Sequence, residues 1–531
     1  GTSIIKGMSD GTNTIKQQII SGGVGSVCLM NNVSGHIEQK QTINAGSGIV
    51  GTMSNGYQEI ETANASGHID LMYNGSQTLY SAGKGSIGIM SGGSQTLEKD
   101  THAEIVTMVD GMQFIRTSAT GVISTMDGGK QTIGNPSYIN ASGTIISMTD
   151  GLQQIWAGNS GSITTMSGVS AMQMIGLSGL ANGSIDTLEA GTQMIGYSAD
   201  PYKGGGTGTI NVMNSGMQIV GYSGCSSCVG TIASMNNGQQ QVNDGGTGTI
   251  TKMSGVDASQ IIGLTGSSAV GSIEIMEAGK QAIGYNGNFG TGSITLMQDG
   301  VQVIGYVGGS QIVASGGTAT DTTVGSGGLQ YIEAGAVISG TVLDGGILRL
   351  AQADSDYILN NTLTINNGVL DLTDGAGLKR NLRAVPVYQK LTMSDLQGSG
   401  GSIYLDTDMA SNDGDKITVN SSNVGTGTYA VYVNDQSIVT DTELTGKLLL
   451  VDDKSKKLKF KGMAVNNGGL WDATPILNEE TNQWYLTKIT KTPNNDTKVL
   501  LFDADNSYAM WRNTNDSLRS RLGALGNGSE R

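Results

Sequence analysis

The chain has 531 residues, a formal net charge of −15 and 83 glycines, more than double the roughly 7% glycine of an average protein. Charged residues make up 14% and aromatic residues 5%, which is typical of many short strands joined by tight turns and unlike a compact α/β enzyme. The acidic balance disfavours nucleic acid as a partner, because binding to phosphates requires Lys and Arg. No segment has the roughly 18 apolar residues of a membrane helix.

One phrase recurs along the first 307 residues. It reads "GSIDTLEAGTQMIGY" from 183 and "GSIEIMEAGKQAIGY" from 271, and the shared frame is G-x-I-x-φ-M-x-x-G-x-Q-x-I. Copies are 18 to 25 residues apart, and the extra residues enter between the Ile after Gln and the next Gly. Alternating apolar residues predict two short strands per copy. Because the N-terminus lies inside a repeat and shows no signal-peptide pattern, we expect a fragment of a longer protein.

The Gln of this frame follows Met by five residues in most copies and by seven at Gln173 and Gln260. In the first copy the spacing places Asn13 at the Gln position, and Met30 fits only with an insertion. The Gln has two interpretations, a buried stack of side-chain hydrogen bonds that fixes the register or a binding surface. Since alternation places it beside the inward Ile, we expect the buried stack.

A single copy cannot fold alone. Ordering its backbone costs roughly 1–2 kcal/mol per residue, whereas three or four buried Ile and Met side chains return about 1.5–3 kcal/mol each. Copies must therefore stack, so that each strand pairs with its neighbours and like residues lie over like. The sequence predicts an all-β β-solenoid of about 18–25 residues per coil, with Gly at positive-φ turns and Ile and Met inside.

Two kinds of surface feature are candidates for binding. Aromatic rings in neighbouring coils could stack on sugars, although corner rings that pack on each other are the alternative; they are Tyr197, Tyr222, Tyr285 and Tyr306. The loops "GNPSYINASG" at 134, "YSADPYKGGGTG" at 197 and "GYNGNFGTG" at 284 are equally open to contact. Polar ladders are also expected on exposed faces, as in "MNNGQQQVNDGGTGT" at 235.

The sequence offers little for catalysis. The histidines are His36, His68 and His102, the first two in a shared "SGH-I" surface position. Carbohydrate-active β-helices cluster carboxylates with a basic residue on neighbouring coils, a pattern not found here. Asp413 and Asp415 are close together in "SNDGDKITV", where a turn is the simpler interpretation. We therefore expect no enzyme, with no catalytic residue, metal or cofactor.

The three cysteines are Cys28, alone, and the pair Cys225 and Cys228 in "GCSSCVG". The pair has neither a second pair nor nearby histidines, which disfavours zinc. No thioredoxin-like βαβ context surrounds it, which disfavours a redox role. A local disulfide that closes a loop is the favoured interpretation.

From residue 308 the text changes to "GGSQIVASGGTATDTTVGSGGLQYIEAGAVISGTVLDGGILRL", which resembles the AIDA-type repeat of self-associating autotransporter adhesins. Beyond it, "NNTLTINNGVLDLTD", "GSGGSIYLDTDMASNDGDKITVN" and "GTYAVYV" resemble the C-terminal autochaperone region of pertactin-like passengers. Three tryptophans fall in this last part, which suggests a bulky cap; they are Trp471, Trp484 and Trp511. The closing "SYAMWRNTNDSLRSRLGALGNGSER" has helical spacing and resembles the start of the segment that leads to an outer-membrane barrel.

These resemblances divide the chain into Met/Gln-type β-helix repeats at 1–307, AIDA-like repeats at 308–350, a pertactin-like β-helix and autochaperone region at 351–516, and the start of a linker at 517–531. They imply a right-handed parallel β-helix that acts as a cell-surface passenger, anchored through an outer-membrane barrel outside this chain. They also imply adhesion by self-association in trans, leading to cell aggregation and biofilm. Host glycan, mucin or matrix protein is the alternative partner, and a polysaccharide-active enzyme is a further alternative.

Overall fold

The computed structural model describes residues 2–527 apart from positions 6–14, 21, 32–38, 197–203, 222–224, 226, 267, 285–287, 289, 305–317, 321, 327, 333, 336, 352–355, 374–386, 423–427, 436–442, 467–470 and 494. The chain divides into two compact units, Gly1–Val342 and Leu343–Arg531. Strands dominate both, and nearly all of them pair in parallel. The predicted all-β parallel β-helix is confirmed, while its right-handed sense stays an implication of the resemblance.

Between residues 23 and 304 each coil of the first unit has a long strand that ends at the Met of the repeat, or at Leu188 in one coil, and a short strand that carries the Gln. In β9 to β12 the two run together as one strand. The strands, to the end of this unit, are β1 (Thr2–Ile5), β2 (Ile15–Ile19), β3 (Gly23–Met30), β4 (Gln39–Ile43), β5 (Gly46–Met53), β6 (Tyr57–Ile60), β7 (Ala65–Met72), β8 (Ser76–Leu79), β9 (Lys84–Leu97), β10 (His102–Ile115), β11 (Thr120–Ile133), β12 (Ser142–Ile155), β13 (Ser160–Met166), β14 (Met172–Ile175), β15 (Leu180–Leu188), β16 (Thr192–Ile195), β17 (Gly205–Met213), β18 (Met217–Val220), β19 (Cys228–Met235), β20 (Gln239–Val242), β21 (Gly246–Met253), β22 (Ser259–Ile262), β23 (Ala269–Met276), β24 (Lys280–Ile283), β25 (Gly290–Met297), β26 (Val301–Ile304), β27 (Thr318–Thr320), β28 (Thr323–Gly325), β29 (Leu329–Ile332), β30 (Val337–Ser339) and β31 (Val342–Asp344).

Equivalent residues of successive coils lie directly over one another. β15 pairs with β17 so that Ile185 is opposite Ile210 and Leu188 is opposite Met213. All four side chains are buried, as period-2 alternation requires for residues on the inner face of a strand. The interior of the first unit is therefore a set of Ile and Met columns, as the repeat predicts.

A ladder of glutamines runs through this interior. Each amide Nε2 donates a hydrogen bond to the Oε1 of the glutamine in the preceding coil, at 2.6–2.7 Å. The predicted buried stack is confirmed. The rungs, all buried, are Gln17, Gln41, Gln58, Gln77, Gln95, Gln113, Gln131, Gln153, Gln173, Gln193, Gln218, Gln240, Gln260, Gln281, Gln302 and Gln330.

The ladder corrects the assignment of the first coil. Gln17, opposite Gln41 in the pairing of β2 with β4, occupies the position that the Met-to-Gln spacing gave to Asn13. Asn13 itself lies outside the described residues, and Gln17 follows Met8 by nine residues, whereas Gln follows Met by five in most copies. The ladder also extends to Gln330, within the segment that resembles the AIDA-type repeat.

Coil lengths vary more than the sequence predicts. Successive rungs are separated by as few as 17 residues, between Gln41 and Gln58, and as many as 28, between Gln302 and Gln330, against the expected 18–25. Extra residues also enter at a second place, between Met and Gln. There Val169 and Val256 project with 86% and 81% exposure, because loops replace the glycine turn in these two coils.

Glycine has two different roles in the repeat, of which the sequence predicted one. Gly151 follows the Met of its coil with φ 100°, and its N–H donates to Asp150 Oδ1 at 2.7 Å, so it is a turn glycine. Gly208 begins the G-x-I triplet, where a Cβ would lie 2.4 Å from Ile195 Cδ1 and 2.8 Å from Gln193 Oε1. This second glycine leaves room for the ladder and its neighbouring Ile.

The second unit continues with parallel strands and ends with antiparallel ones. β33 pairs with β35 and β35 with β38, all in parallel, whereas β40 pairs with β44 and β43 with β44 in antiparallel register. Its elements are β32 (Ile347–Leu350), β33 (Asp356–Asn366), β34 (Val369–Asp371), β35 (Lys390–Ser399), β36 (Ser402–Asp408), β37 (Asp413–Gly414), β38 (Lys416–Ser421), β39 (Thr428–Asp435), β40 (Glu443–Asp453), β41 (Lys459–Gly462), β42 (Val465–Asn466), β43 (Trp471–Glu480), β44 (Gln483–Pro493) and α1 (Asn495–Asn527).

Aromatic side chains fill the end of the second unit. The Tyr429 and Phe460 rings are stacked with centroids 5.9 Å apart, and Phe460 meets Trp484 edge-on at 5.5 Å. The buried Tyr429 hydroxyl donates to the backbone oxygens of Gln397 and Gly398, each at 3.0 Å. A buried tyrosine thus satisfies its polar end while its ring packs, and Trp484 belongs to the predicted cap.

The helix α1 begins twelve residues before the segment in which the sequence shows helical spacing. Its first turns include the contiguous apolar run 499–502, which has no 3.6-residue spacing to reveal it. Trp511 lies on α1 with 62% exposure and stacks on Tyr508 at 6.0 Å, so its assignment to the cap is wrong. Within the described residues, no helix combines the length and apolar character needed to cross the membrane.

We predict that Gln153→Leu destabilises the first unit locally by about 2–4 kcal/mol. The substitution leaves the buried Gln131 oxygen without its donor and the Gln173 amide without its acceptor, and each such loss costs about 1–3 kcal/mol. Hydrogen exchange of the amides in β11, β12 and β14 measures the effect directly, because coils of a repeat array open locally.

The matched control is Gln154→Leu, the next residue on the same strand, whose side chain points outward. We expect its effect to stay within about 0.5 kcal/mol. Equal acceleration of exchange in the two variants would show that the ladder contributes no more than an ordinary surface amide.

Candidate functional site: a hydroxyl face of the first unit

Two columns of small side chains, polar apart from Val229 and Val270, run along the outer side of the long strands. The inner column follows the Gly of the G-x-I triplet and carries a hydroxyl in eight successive coils, at Thr144, Ser162, Ser184, Thr209, Thr231, Thr249, Ser272 and Ser293. The outer column lies two residues earlier, at Ser142, Ser160, Asn182, Thr207, Val229, Thr247, Val270 and Thr291. We call these sixteen residues the hydroxyl face.

The folding of the repeat explains why these side chains are aligned. Ile in the triplet points into the core, so the residue before it points outward, and the glutamine ladder keeps each coil in register with the next. Within the inner column, Ser162 donates to Thr144 at 3.1 Å and Ser272 donates to Thr249 at 3.2 Å. A shallow groove of about 330 Å³ follows the columns past Ser184.

The hydroxyl face contains no charged residue, although the chain carries a net charge of −15. The charges nearest along the same columns belong to Lys84 and Glu104, in coils closer to the N-terminus. The face itself is neutral over eight coils, and the exposed carboxylates of Asp186 and Glu274 lie beside it, two residues after Ser184 and Ser272 on β15 and β23. The face can donate and accept hydrogen bonds at each coil, because a hydroxyl does both.

A second polar ladder lies just after the Met of the repeat. Asn236 donates to Asn214 at 2.8 Å, and Asn214 donates to Glu189 at 2.8 Å. Unlike the hydroxyl face, this edge also carries Asp127 and Asp150, which are opposite each other in the pairing of β11 with β12. Its charge makes it the weaker candidate for contact with an acidic partner.

The other predicted site residues have different outcomes. Tyr197, Tyr222, Tyr285 and Tyr306 lie outside the described residues, so their role as ring platforms stays a prediction. Cys225 and Cys228 form a disulfide with their Cα atoms 6.1 Å apart. Among the described residues, no three His, Cys, Asp or Glu side chains are placed to hold a metal.

Asp413 and Asp415 are separated by the fold. Asp413 is exposed on the short hairpin strand β37, whereas Asp415 is fully buried and accepts hydrogen bonds from the backbone N–H groups of Gln389 and Asp406, both at 2.6 Å. Burial raises the pKa of the Asp415 carboxyl well above its ordinary value, and the charges of Asp406 and Asp371 raise it further, against the two backbone bonds. Asp415 therefore fastens two chain segments together.

The comparisons with known proteins give a family match within the second unit and a structural similarity over most of the chain. Residues 361–488 match the Pertactin family model. No curated protein matches the chain. The crystal structure of the Haemophilus influenzae Hap adhesin is similar over 90% of this chain and 64% of that chain, with 13% sequence identity and a TM-score of 0.30. This chain thus spans less than two thirds of the Hap chain. The Pertactin match falls within the region that the sequence resemblance placed at 351–516, and it supports an autotransporter passenger.

Asp415 generates a prediction about pH. Because its folded pKa lies above the unfolded value of about 3.9, its contribution to the free energy of unfolding is fully present below pH 4 and is lost as the pH rises through the folded pKa. We expect Asp415→Asn to reduce the loss of stability between pH 4 and pH 8. Urea unfolding of the full chain, monitored by hydrogen exchange of the amides in β36 and β38, measures how the free energy of unfolding changes with pH.

Asp413→Asn is the matched control, since it removes the same charge from an exposed position two residues away. It should keep the pH slope of the unaltered protein. Identical slopes in the two variants would assign the pH dependence to overall charge and not to the buried carboxyl.

Proposed function

We propose that this chain is the adhesive passenger of an autotransporter and that it joins cells by binding a second copy of itself through the hydroxyl face. The Pertactin match at 361–488 supports a passenger at the cell surface, and it favours a main role that is not catalytic. The observation that carries the self-association is the uncharged hydroxyl face on a strongly acidic chain.

The dimensions of the face suit a weak contact that gains strength by repetition. Eight coils at about 4.8 Å make it about 34 Å long, and the three strand residues from the outer to the inner column, at about 3.3 Å each, make it about 10 Å wide. Two such faces together come to about 680 Å², below the roughly 1,000 Å² of a stable specific interface, so one pair of faces makes a weak contact. Each coil adds a hydrogen bond worth about 0.5–1.5 kcal/mol, against an association cost of about 4 kcal/mol or more. Many copies on opposed surfaces then act by avidity.

We predict that the double substitution Thr209→Lys with Thr231→Lys abolishes self-association. Two ammonium groups in the centre of the inner column meet the same two groups of an antiparallel partner and also lose hydration there. The measurements are sedimentation velocity of the purified chain and clumping of cells that display it. In the unaltered chain, association should persist or strengthen from low to physiological salt, because salt screens the net charge over about 8 Å.

The control is Thr192→Lys with Gln239→Lys, which adds the same charge on the outward side of the Gln strands. This variant should still associate. If the unaltered chain stays monomeric at high concentration and displaying cells bind a host glycan array without clumping, the glycan alternative and the four tyrosines replace this proposal.

A further inference from the structure

Three side chains at the N-terminal side of the hydroxyl face form a hydrogen-bonded relay. His68 Nδ1 is 2.7 Å from Ser86 Oγ, and His68 Nε2 is 2.9 Å from Asp70 Oδ1. His68 and Asp70 are two residues apart on β7, so both point outward, and Ser86 is opposite His68 in the pairing of β7 with β9. The coil architecture therefore builds the relay from adjacent strands.

The chemistry of the groups fixes the direction of the relay. The Asp70 carboxylate can only accept a hydrogen bond, so Nε2 of the neutral imidazole carries the proton and Nδ1 presents a lone pair. The Ser86 hydroxyl then donates to Nδ1. The three groups have the roles of nucleophile, general base and orienting carboxylate, with the two ring nitrogens exchanged relative to a Ser-His-Asp triad, in which Nε2 faces the serine. Elsewhere in the same column, as between Ser162 and Thr144, hydroxyls pair only with hydroxyls.

His68 and Ser86 line a groove of about 270 Å³, and Asp70 lies outside its lining. Ile49, opposite His68 in the preceding coil, supplies an apolar wall, and Ser47 and Ser66 share a hydrogen bond of 2.9 Å beside it. Lys84 also lines the groove, two residues before Ser86 on the same strand. Its ammonium group is the positive charge available to a developing oxyanion.

Glu104 is the remaining charged group near the relay, opposite Ser86 in the pairing of β9 with β10. It accepts a hydrogen bond from Ser124 at 3.1 Å, which directs it toward the following coil. The groups around His68 from all sides are thus Asp70 on its own strand, uncharged residues on β5, and Lys84 and Ser86 on β9.

We propose that Ser86, His68 and Asp70 form an esterase site for small acyl esters, acetyl esters above all. Ser86 Oγ attacks the ester carbonyl carbon while its proton moves to His68 Nδ1. The C–O bond to the alcohol breaks, and the alcohol leaves with that proton. Water then gives a proton to Nδ1 and attacks the acyl carbon, and Ser86 Oγ regains the proton as the carboxylic acid departs.

The openness of the site selects its substrates. His68 and Asp70 are 40% and 63% exposed, and the groove is small, so it suits an acetyl group held against Ile49 better than a long acyl chain. The base, His68, is partly solvated, and the ammonium group of Lys84 is the single positive charge at the site. Such a site suits esters, because their alcohol leaves readily, and does not suit amides. Ser86 and His68 are the catalytic residues, and Asp70 is a positioning residue.

The test uses the full chain with 4-nitrophenyl acetate and with an O-acetylated oligosaccharide as the two sources of the acyl group. Ser86→Ala and His68→Gln should each lower hydrolysis about 100-fold or more, the usual range for loss of a nucleophile or general base. Asp70→Asn should lower kcat and leave KM unchanged. A fluorophosphonate should lose fluoride and modify the Ser86 peptide.

Ser94→Ala is the matched control, since Ser94 lies on the same strand as Ser86 but past the glycine turn at Gly93. It should keep the full rate. Hydrolysis that survives in Ser86→Ala, or a fluorophosphonate label that does not map to Ser86, overturns the proposal. Cell clumping tests the adhesive function separately. Cells that display Ser86→Ala should still clump. If the unaltered chain hydrolyses esters but its cells do not clump, the result counts only against adhesion.

Discussion

The chain of hydrogen bonds between buried glutamines is the constraint on which the first unit depends. Each amide donates to the coil before it and accepts from the coil after it, through fifteen successive bonds. A slip of one residue between two coils would unpair buried amides and turn the inward side chains outward. The ladder therefore holds coils of 17 to 28 residues in one register, and their differences in length are confined to the connections.

A fixed register converts a repeated sequence into columns of side chains with chemical character. The position after the triplet Gly holds a hydroxyl in eight successive coils, and there it makes a neutral face. The same position holds His68 in one coil and Ser86 in the next, and there it makes a relay. One structural rule thus gives two surfaces, one suited to broad weak contact and one to a localised reaction.

The sequence predicted the parts of the fold that repeat. Alternation placed Ile, Met and Gln inside, and the stacked structure confirms this for the described coils. It did not predict the second role of glycine, because a close approach such as that of Gly208 to Ile195 involves two strands and leaves no local pattern. The repeat frame places His68 and Ser86 at the same position of neighbouring coils, but the hydrogen bonds of His68 to Ser86 and Asp70 depend on side-chain geometry that a sequence pattern does not carry. Trp511 was misplaced because the helical spacing around it does not show which side chains of the helix are buried.

The glutamine ladder has a direction, and its two ends differ chemically. Every side chain-to-side chain bond of the ladder donates toward the preceding coil, so an interrupted ladder shows a donor at one end and an acceptor at the other. The donor end of one ladder is complementary to the acceptor end of another. Incompletely folded copies can therefore join head to tail into open filaments, because such heterologous contacts do not close. In the folded chain a hydroxyl stands at each end: Gln17 donates to Ser3 at 3.3 Å, and Gln330 accepts from Thr341 at 3.2 Å. The Thr341 hydroxyl thus gives the last amide oxygen of the ladder a partner within the same molecule.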